Sequence, residues 1–327
     1  MKKPKYSIIA PIYNEEGNLS ELYTRIKNTM ETLGDEWELI LVDDGSQDNS
    51  TKIICELSDH DDRVRKVIFA RNFGHQLAVT AGLDYSRGDA VVIIDSDLQD
   101  PPEVIPELIE KWREGYHVVY AVRGEREGES WFKLATASLF YRIIYRITDV
   151  DIPLDTGDFR LLDRKVVDVM KAMKERHRFL RGMSVWVGFR QTGVKYRRAA
   201  RHAGETKYPL QKMVKFANDA ITGYSYFPLQ LATYLGFISA GLSILAIPAV
   251  IIARLAGSQA FFGQATTLIA VLFLGGVQLI SLGILGEYIG RIYDESKGRP
   301  LYIVSEGPDE KSDNNIKNYR GNQIEQN

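Results

Sequence analysis

A single cysteine, Cys55, occurs in 327 residues, which excludes an internal disulfide framework and fits a reducing compartment. An excess of one charge sign is also lacking. The net charge is −2, so no global electrostatic pull toward nucleic acid exists and no nucleic-acid partner is expected. Only about six apolar-leaning residues precede Asn14, short of the roughly 7–15 of a signal-peptide core. The bulk of the protein is therefore expected to be made and kept in the cytosol. Glycine signatures are missing too: no GxGxxG follows the first expected strand, which argues against a dinucleotide oxidoreductase, and no GxxxxGK[ST] of a P-loop NTPase occurs.

Charge itself disappears in one region. No Asp, Glu, Lys or Arg lies between Asp219 and Arg254, nor between Arg254 and Glu287. Within these gaps, segments 229–253 and 265–286 each reach the roughly 20 residues that span a bilayer. Tyr224, Tyr226 and Phe227 stand at the entry and Tyr288 and Tyr293 at the exit, as in interfacial aromatic belts. Buried core helices share this composition, but two such segments in succession favour a transmembrane hairpin over 229–290. Lys212 and Lys215 precede it, Arg291, Lys297 and Arg299 follow it, and the connection holds only Arg254. The positive-inside bias thus predicts an inner or plasma membrane protein with both termini and the rest of the chain cytoplasmic. Residues 211–228 are expected as a juxtamembrane interfacial helix, and 291–327 as a cytoplasmic tail whose polar end is disordered.

What is present upstream is a strict β-α alternation. Strands are expected at 6–10, 37–42, 65–70, 90–95 and 117–122. Helices are expected from about Pro11 to Leu33, Gln47 to Leu57, His75 to Tyr85 and over 103–113. This predicts an α/β fold over 1–210, a doubly wound and mostly parallel sheet. Its strands end in polar residues: Pro11–Glu15, Asp43–Ser46, Arg71–Asn72, Asp95–Asp100 and Arg123. In open α/β sheets that edge is where ligands bind. The fourth strand, rich in Val and Ile, stops abruptly at Asp95-Ser96-Asp97-Leu98-Gln99-Asp100-Pro101-Pro102. If the chain is still extended there, Asp95 and Asp97 point the same way. Two hard oxygen ligands suit Mg²⁺ or Mn²⁺ shared with substrate phosphates. An acidic turn capping the next helix would use the same residues, but five polar strand ends in order favour a metal–diphosphate site.

Five motifs then carry a resemblance. Ile9 to Glu16 (Ile-Ala-Pro-Ile-Tyr-Asn-Glu-Glu), Val42 to Ser46, Asp95 to Pro102, Gly157 to Leu161 and Gly204 to Tyr208 resemble family 2 glycosyltransferases of the GT-A fold. More narrowly, over about residues 5–305, the chain is similar to polyprenyl-phosphate glycosyltransferases, which include bacterial undecaprenyl-phosphate glucosyltransferases and dolichol-phosphate mannose synthase. Thr206 stands where serine is more usual, and the Gln-x-x-Arg-Trp motif of processive synthases is absent, which argues for transfer of a single sugar.

The resemblance implies roles residue by residue. Pro11, Tyr13 and Glu15 would line the nucleoside pocket, with Asp44 reading the base and Val42 packing beside it. Asp95, Ser96 and Asp97 would flank ribose, metal and diphosphate, with Gln99 a further metal ligand. Arg123, Arg201 and Lys207 match positions that hold diphosphate and sugar. Asp158 would be the base or the carboxylate that orients the sugar. The expected cofactor is Mg²⁺ or Mn²⁺, and the expected partners are a nucleoside diphosphate sugar, a polyprenyl phosphate lipid and the membrane. A homo-oligomer is expected as well, with a tetramer as one candidate. Ser130 to Thr148 reads as an aromatic, cationic helix suited to a membrane interface, although a helix covering the sheet would look similar. With it, Arg123, Arg126 and Lys133 are expected to form the path for the acceptor phosphate. The expected reaction is inverting, metal-dependent transfer of one hexose, preferably glucose from UDP-glucose, to polyprenyl phosphate. GDP-mannose to dolichol phosphate is the alternative. A membrane-tethered binding protein without catalysis is a second one, disfavoured by the intact set of Asp95, Asp97, Asp158, Arg201 and Lys207. A small transporter is disfavoured because the spans carry no ion path.

Overall fold

The computed structural model describes residues 3–124, 156–197, 225–256 and 264–308. These fall into two compact units: one built on a sheet and including the residues from Pro300 onward, the other holding two long helices.

In the sheet unit the strands are β1 (Tyr6–Ile12), β2 (Trp37–Asp43), β3 (Val64–Phe69), β4 (Ala90–Ile93), β5 (Val118–Arg123), β6 (Thr156–Asp163), β7 (Gln191–Tyr196) and β8 (Val304–Glu306). They form one sheet in the order β7-β5-β6-β4-β1-β2-β3-β8. Only β6 and β8 run against the rest. Helices α1 (Leu19–Glu31), α2 (Ser50–His60) and α4 (Ile105–Arg113) bury Leu22, Ile26, Ile54, Leu108 and Ile109 in a cluster with Ile8, Ala10 and Ile12 of β1. The helix α3 (His75–Tyr85) packs on β1 and β2, and α5 (Arg164–Ala172) meets α3, β4 and β6. A short helix, α6 (Leu180–Trp186), packs on α5. Every residue of β1, β2, β3 and β4 is buried, as continuous apolar runs inside a covered parallel sheet require.

The five strands and four helices expected between residues 6 and 122 are present, with displaced ends. β1 runs on through Pro11, and α1 begins only at Leu19, not at the Pro11–Asn18 stretch. The reason lies in the ladder. Ile94 donates to Ile9 O, and β4 leaves the sheet just beyond, so the N–H that Pro11 lacks has no partner to lose. β1 and β4 therefore part at their C-terminal ends, the place where connections leave the sheet in opposite directions and a crevice opens.

Glu38 anchors the opposite edge. Its carboxylate, 2% exposed, accepts from Ser7 Oγ at 2.6 Å, from the Arg87 amide at 2.8 Å and from the Arg87 and Arg65 guanidinium groups. Burial alone would raise its pKa, but the bonds from Ser7 and Arg87 outweigh it and hold the carboxyl below the usual range. A depressed folded-state pKa contributes stability above the unfolded value of about 4.3, lost as pH falls toward the folded value. Glu38→Gln is expected to cost roughly 3 kcal/mol, because it strands the buried Arg65 guanidinium, while Arg87 is exposed and can turn to solvent. Urea unfolding at pH 7 and pH 4 checks both points: the gap between wild type and variant should shrink at the lower pH.

In the helical unit, α7 (Phe227–Leu255) and α8 (Gln264–Ser296) lie against each other, and Tyr288 donates its hydroxyl to Ser225 O at 2.9 Å. Segments Phe227–Ala253 and Thr267–Ser296 are long and apolar enough to cross a membrane, and their apolar side chains are not buried by protein. After α8 the chain is not a simple tail from 291 onward: α8 continues to Ser296, and β8 pairs with β3. The apolar run Leu301–Val304 is too short to read as a strand without its partner.

Candidate functional site

The crevice between β1 and β4 collects the ends of five strands. At the end of β1, Asn14 adopts φ 54° and is held by Ser46, whose Oγ accepts the Asn14 amide at 3.0 Å. Glu15 accepts from Asn18 Nδ2 at 2.7 Å and its amide donates to Ser50, which ties the β1 end to α2. Pro11 is buried in β1 and Tyr13 half-buried just beyond it. Val42 is fully buried inside β2, a support for the crevice wall.

Asp44 sits one residue past β2. Its carboxylate accepts the Phe73 amide at 2.6 Å and the Gly74 amide at about 3 Å. Burial pushes its pKa up to about 6, against the two amides that lower it. Next to it Gly45, at φ 73°, approaches the Arg71–Asn72 backbone so closely that a Cβ would lie 2.5 Å from Arg71 C. Only glycine allows the two loops to meet in this way.

The acidic turn after β4 corrects one expectation. The chain is not extended through Asp97: it turns at Ser96, Leu98 takes φ 58°, and Asp97 Oδ1 accepts the Gln99 amide at 3.1 Å. The side chains of Asp95 and Asp97 are neighbours through this turn, not through strand periodicity. Ser96 is buried, and Asp100, also buried, accepts from the Tyr196 hydroxyl.

Asp158 comes from β6, the antiparallel strand beside β4, and is 7% exposed. Arg181 Nε donates to its Oδ1 at 2.7 Å, while His75 Nε2 lies 3.1 Å and Gln76 Nε2 3.3 Å from Oδ2. His75 also stands 3.7 Å from Asp95 Oδ1. Burial works against the charge on Asp158, but Arg181 and His75 outweigh it and hold the carboxyl well below its usual range. Burial also opposes charge on His75, yet Asp158 and Asp95 raise it to about 9. Asp95 goes the other way: burial, with Asp158, Asp100 and Asp97 nearby, raises it to about 6 despite His75.

Arg123, at the end of β5, lies against Gly157, where a Cβ would meet its guanidinium at 2.9 Å. Arg126, Lys133, Arg201 and Lys207 lie outside the described residues, as do most of the expected interfacial helices at 130–148 and 211–228. Sequence reasoning passed over His75, Gln76 and Arg181. A signal for the first two existed: they follow the Arg71–Gly74 strand end and open α3. Arg181 gave none, since β6 and α5 separate it from the earlier motifs.

The donor set fits one hard divalent cation. Asp95 Oδ1 is buried without a hydrogen-bond partner among the described residues, and carboxylates crowd it. No three acidic, histidine or cysteine side chains among the described residues form a ready-made cage. Two carboxylates plus ligand phosphate oxygens are the usual way Mg²⁺ is bound.

A family model described as Glycosyl transferase family 2 matches residues 7–170. The uncharacterized glycosyltransferase YkcC of Bacillus subtilis is 53% identical over 92% of this chain and 93% of its own length. This chain belongs to glycosyl transferase family 2. Another relative, the bactoprenol glucosyl transferase of Shigella phage SfV, is 43% identical over 92% of this chain and 98% of its own length. Among solved structures, glucosyl-3-phosphoglycerate synthase from Mycobacterium tuberculosis with Mn²⁺, uridine diphosphate and phosphoglyceric acid shares 19% identity. Its TM-score is 0.47, over 67% of this chain and 76% of that one. Family membership makes the crevice at Asp44, Asp95 and Asp158 the candidate active site of a glycosyltransferase.

Proposed function

We propose that this protein transfers one hexose, glucose from UDP-glucose, to a polyprenyl phosphate at the cytoplasmic face of a membrane, with inversion at the sugar carbon. The observation that carries the acceptor class is Asp158. A carboxylate held ionised by Arg181, His75 and Gln76 is a poor proton acceptor. An alcohol acceptor would need a base, whereas a phosphate monoester has a second pKa of about 6 and is already nucleophilic at neutral pH. One phosphate oxygen bonds to the sugar carbon, the bond from that carbon to the diphosphate oxygen breaks, and nucleoside diphosphate leaves; no proton moves. Asp158 orients the sugar and faces the positive charge that develops on it.

Asp95 and Asp97 would hold Mg²⁺ or Mn²⁺, with Gln99 beside them, and the ion would offset charge on the departing diphosphate. Pro11, Tyr13 and Glu15 with Asp44 form the nucleoside end; Ser96, Arg123, Arg201 and Lys207 hold diphosphate and sugar. The apolar helices α7 and α8 are proposed as two membrane spans, with the flanking lysines and arginines on the cytoplasmic side. The names of relatives such as the phage bactoprenol glucosyl transferase support this choice of sugar and lipid.

Full-length protein in nanodiscs with undecaprenyl phosphate and radiolabelled UDP-glucose, UDP-galactose, GDP-mannose or UDP-aminoarabinose tests the reading. Labelled lipid is expected from UDP-glucose. Product from GDP-mannose instead would make it a mannose synthase, and no product with any donor would leave a binding protein. We also propose Arg123, Arg126 and Lys133 as the acceptor path. Lys133→Ala should raise the KM for the lipid roughly 10- to 150-fold, the range of a charge-assisted contact of about 1.5–3 kcal/mol, with the donor KM unchanged.

A further inference from the structure

The chain after α8 comes back to the sheet. Ala70 donates its amide to Ile303 O at 3.0 Å, Val304 and Glu306 pair with Phe69 and Ile68, and Ser305 Oγ donates to Ile68 O at 3.0 Å. Glu306 meets Lys66, itself 2% exposed, at 2.8 Å. Tyr302 stacks on Phe69 with ring centroids 5.0 Å apart and donates its hydroxyl to Asp84 Oδ2 at 2.7 Å. An edge strand left bare invites wrong pairing, so covering it is reason enough for a short strand to exist. The contacts, however, continue inward.

Phe69 packs edge-on against Phe73 at 5.6 Å. The amides of Phe73 and Gly74 are the groups that hold Asp44. Gly45 and the Arg71–Asn72 backbone touch with no room for a methyl group, so a shift of this loop must move the turn that carries Asp44. Tyr302, Phe69, Phe73 and Asp44 thus form one unbroken line of contacts from the C-terminal segment to the crevice. Packed chains of this kind transmit a displacement without absorbing it.

We propose that residues 301–306 are a positioning strap for the nucleoside pocket: docked on β3, they hold the Phe73 and Gly74 amides in the place that fixes Asp44 for the donor. This rests on the reading of Asp44 as the nucleoside-facing carboxylate. The strap lies beyond both long helices in the chain, so the donor pocket is complete only once the chain has been made through Glu306.

The test uses the full-length protein in nanodiscs, with Tyr302→Ala, Tyr302→Phe and a chain ending at Pro300 that keeps both helices. Hydrogen exchange of the Phe73 and Gly74 amides is measured alongside UDP titration in Mg²⁺ and steady-state kinetics. Tyr302→Ala and the shortened chain should exchange faster at Phe73 and Gly74. Both should bind UDP roughly three- to thirtyfold more weakly, the span of couplings carried through packed contacts, with kcat at saturating donor within about twofold. Tyr302→Phe keeps the ring stack and should stay near wild type. Unchanged protection at Phe73 and Gly74, or faster exchange spread evenly over the whole sheet unit, overturns the strap. Equal UDP affinity in wild type and shortened chain overturns the strap alone. A wild type that does not bind UDP overturns the nucleotide reading and, with it, the strap's part in donor binding.

Discussion

Asp95→Asn is expected to lower kcat at least about 10²- to 10³-fold, the usual cost of removing one group that stabilises charge at the reacting centre. It should do so without loss of stability. Asp95 Oδ1 is buried with no hydrogen bond among the described residues, and burial together with Asp158, Asp100 and Asp97 outweighs the attraction of His75 at 3.7 Å, so its charge is a burden to the folded chain. An amide removes that repulsion but is a poor ligand for a hard cation. Asp97→Asn should act in the same direction with a smaller change in stability, because its carboxylate also holds the Gln99 amide in the turn. The pair of measurements is kcat with added Mg²⁺ or Mn²⁺ and the urea midpoint. Wild type in excess EDTA should be inactive and recover with either ion; full activity in the chelator would sink the metal assignment.

A comparable loss, about 10²- to 10³-fold in kcat, is expected for Asp158→Asn, now with a cost in stability. Asn offers one oxygen where Arg181, His75 and Gln76 converge on two. Its amide hydrogens would face the cations that Asp158 now neutralises. Leaving such donors unsatisfied costs about 1–3 kcal/mol, and the lower end applies here because Arg181 and His75 are partly exposed. Donor KM should change little, since Asp158 acts on the sugar and not on the nucleoside. The rate of the wild type should rise near pH 6, where the acceptor phosphate and Asp95 both ionise, and stay flat from there until His75 releases its proton at about 9, because Asp158 stays ionised across this range. A kcat within fivefold of wild type would remove Asp158 from the reacting centre. A further ionisation in the profile that vanishes in Asp158→Asn would restore it as a base.

Legibility differed between parts of the molecule for physical reasons. Continuous apolar runs such as Val91–Ile94 must be buried on both faces, and their polar ends must leave the sheet, so the strands and the crevice could be read locally. Charge-free stretches of span length stand out in the same way, because no charge can be carried cheaply across a bilayer. The helix start at Leu19 was misplaced by Pro11. Proline normally ends a strand, and only the departure of β4 from the ladder makes it tolerable inside β1.

Composition and periodicity, acting over a few residues at a time, determined the α/β alternation, the order of the acidic strand ends and the two long apolar helices. Tertiary structure alone decided the state of the carboxylates. Asp44 and Asp95 follow the ends of β2 and β4 and Asp158 lies near the start of β6, all three the same residue type, yet two are pushed up to about 6 and one far down. The difference comes from Arg181 and from the direct hydrogen bond of His75 to Asp158, groups brought together from distant parts of the chain. It also decided that the segment after Pro300 is part of the sheet, since a three-residue strand has no stability of its own and exists only where β3 offers it a partner.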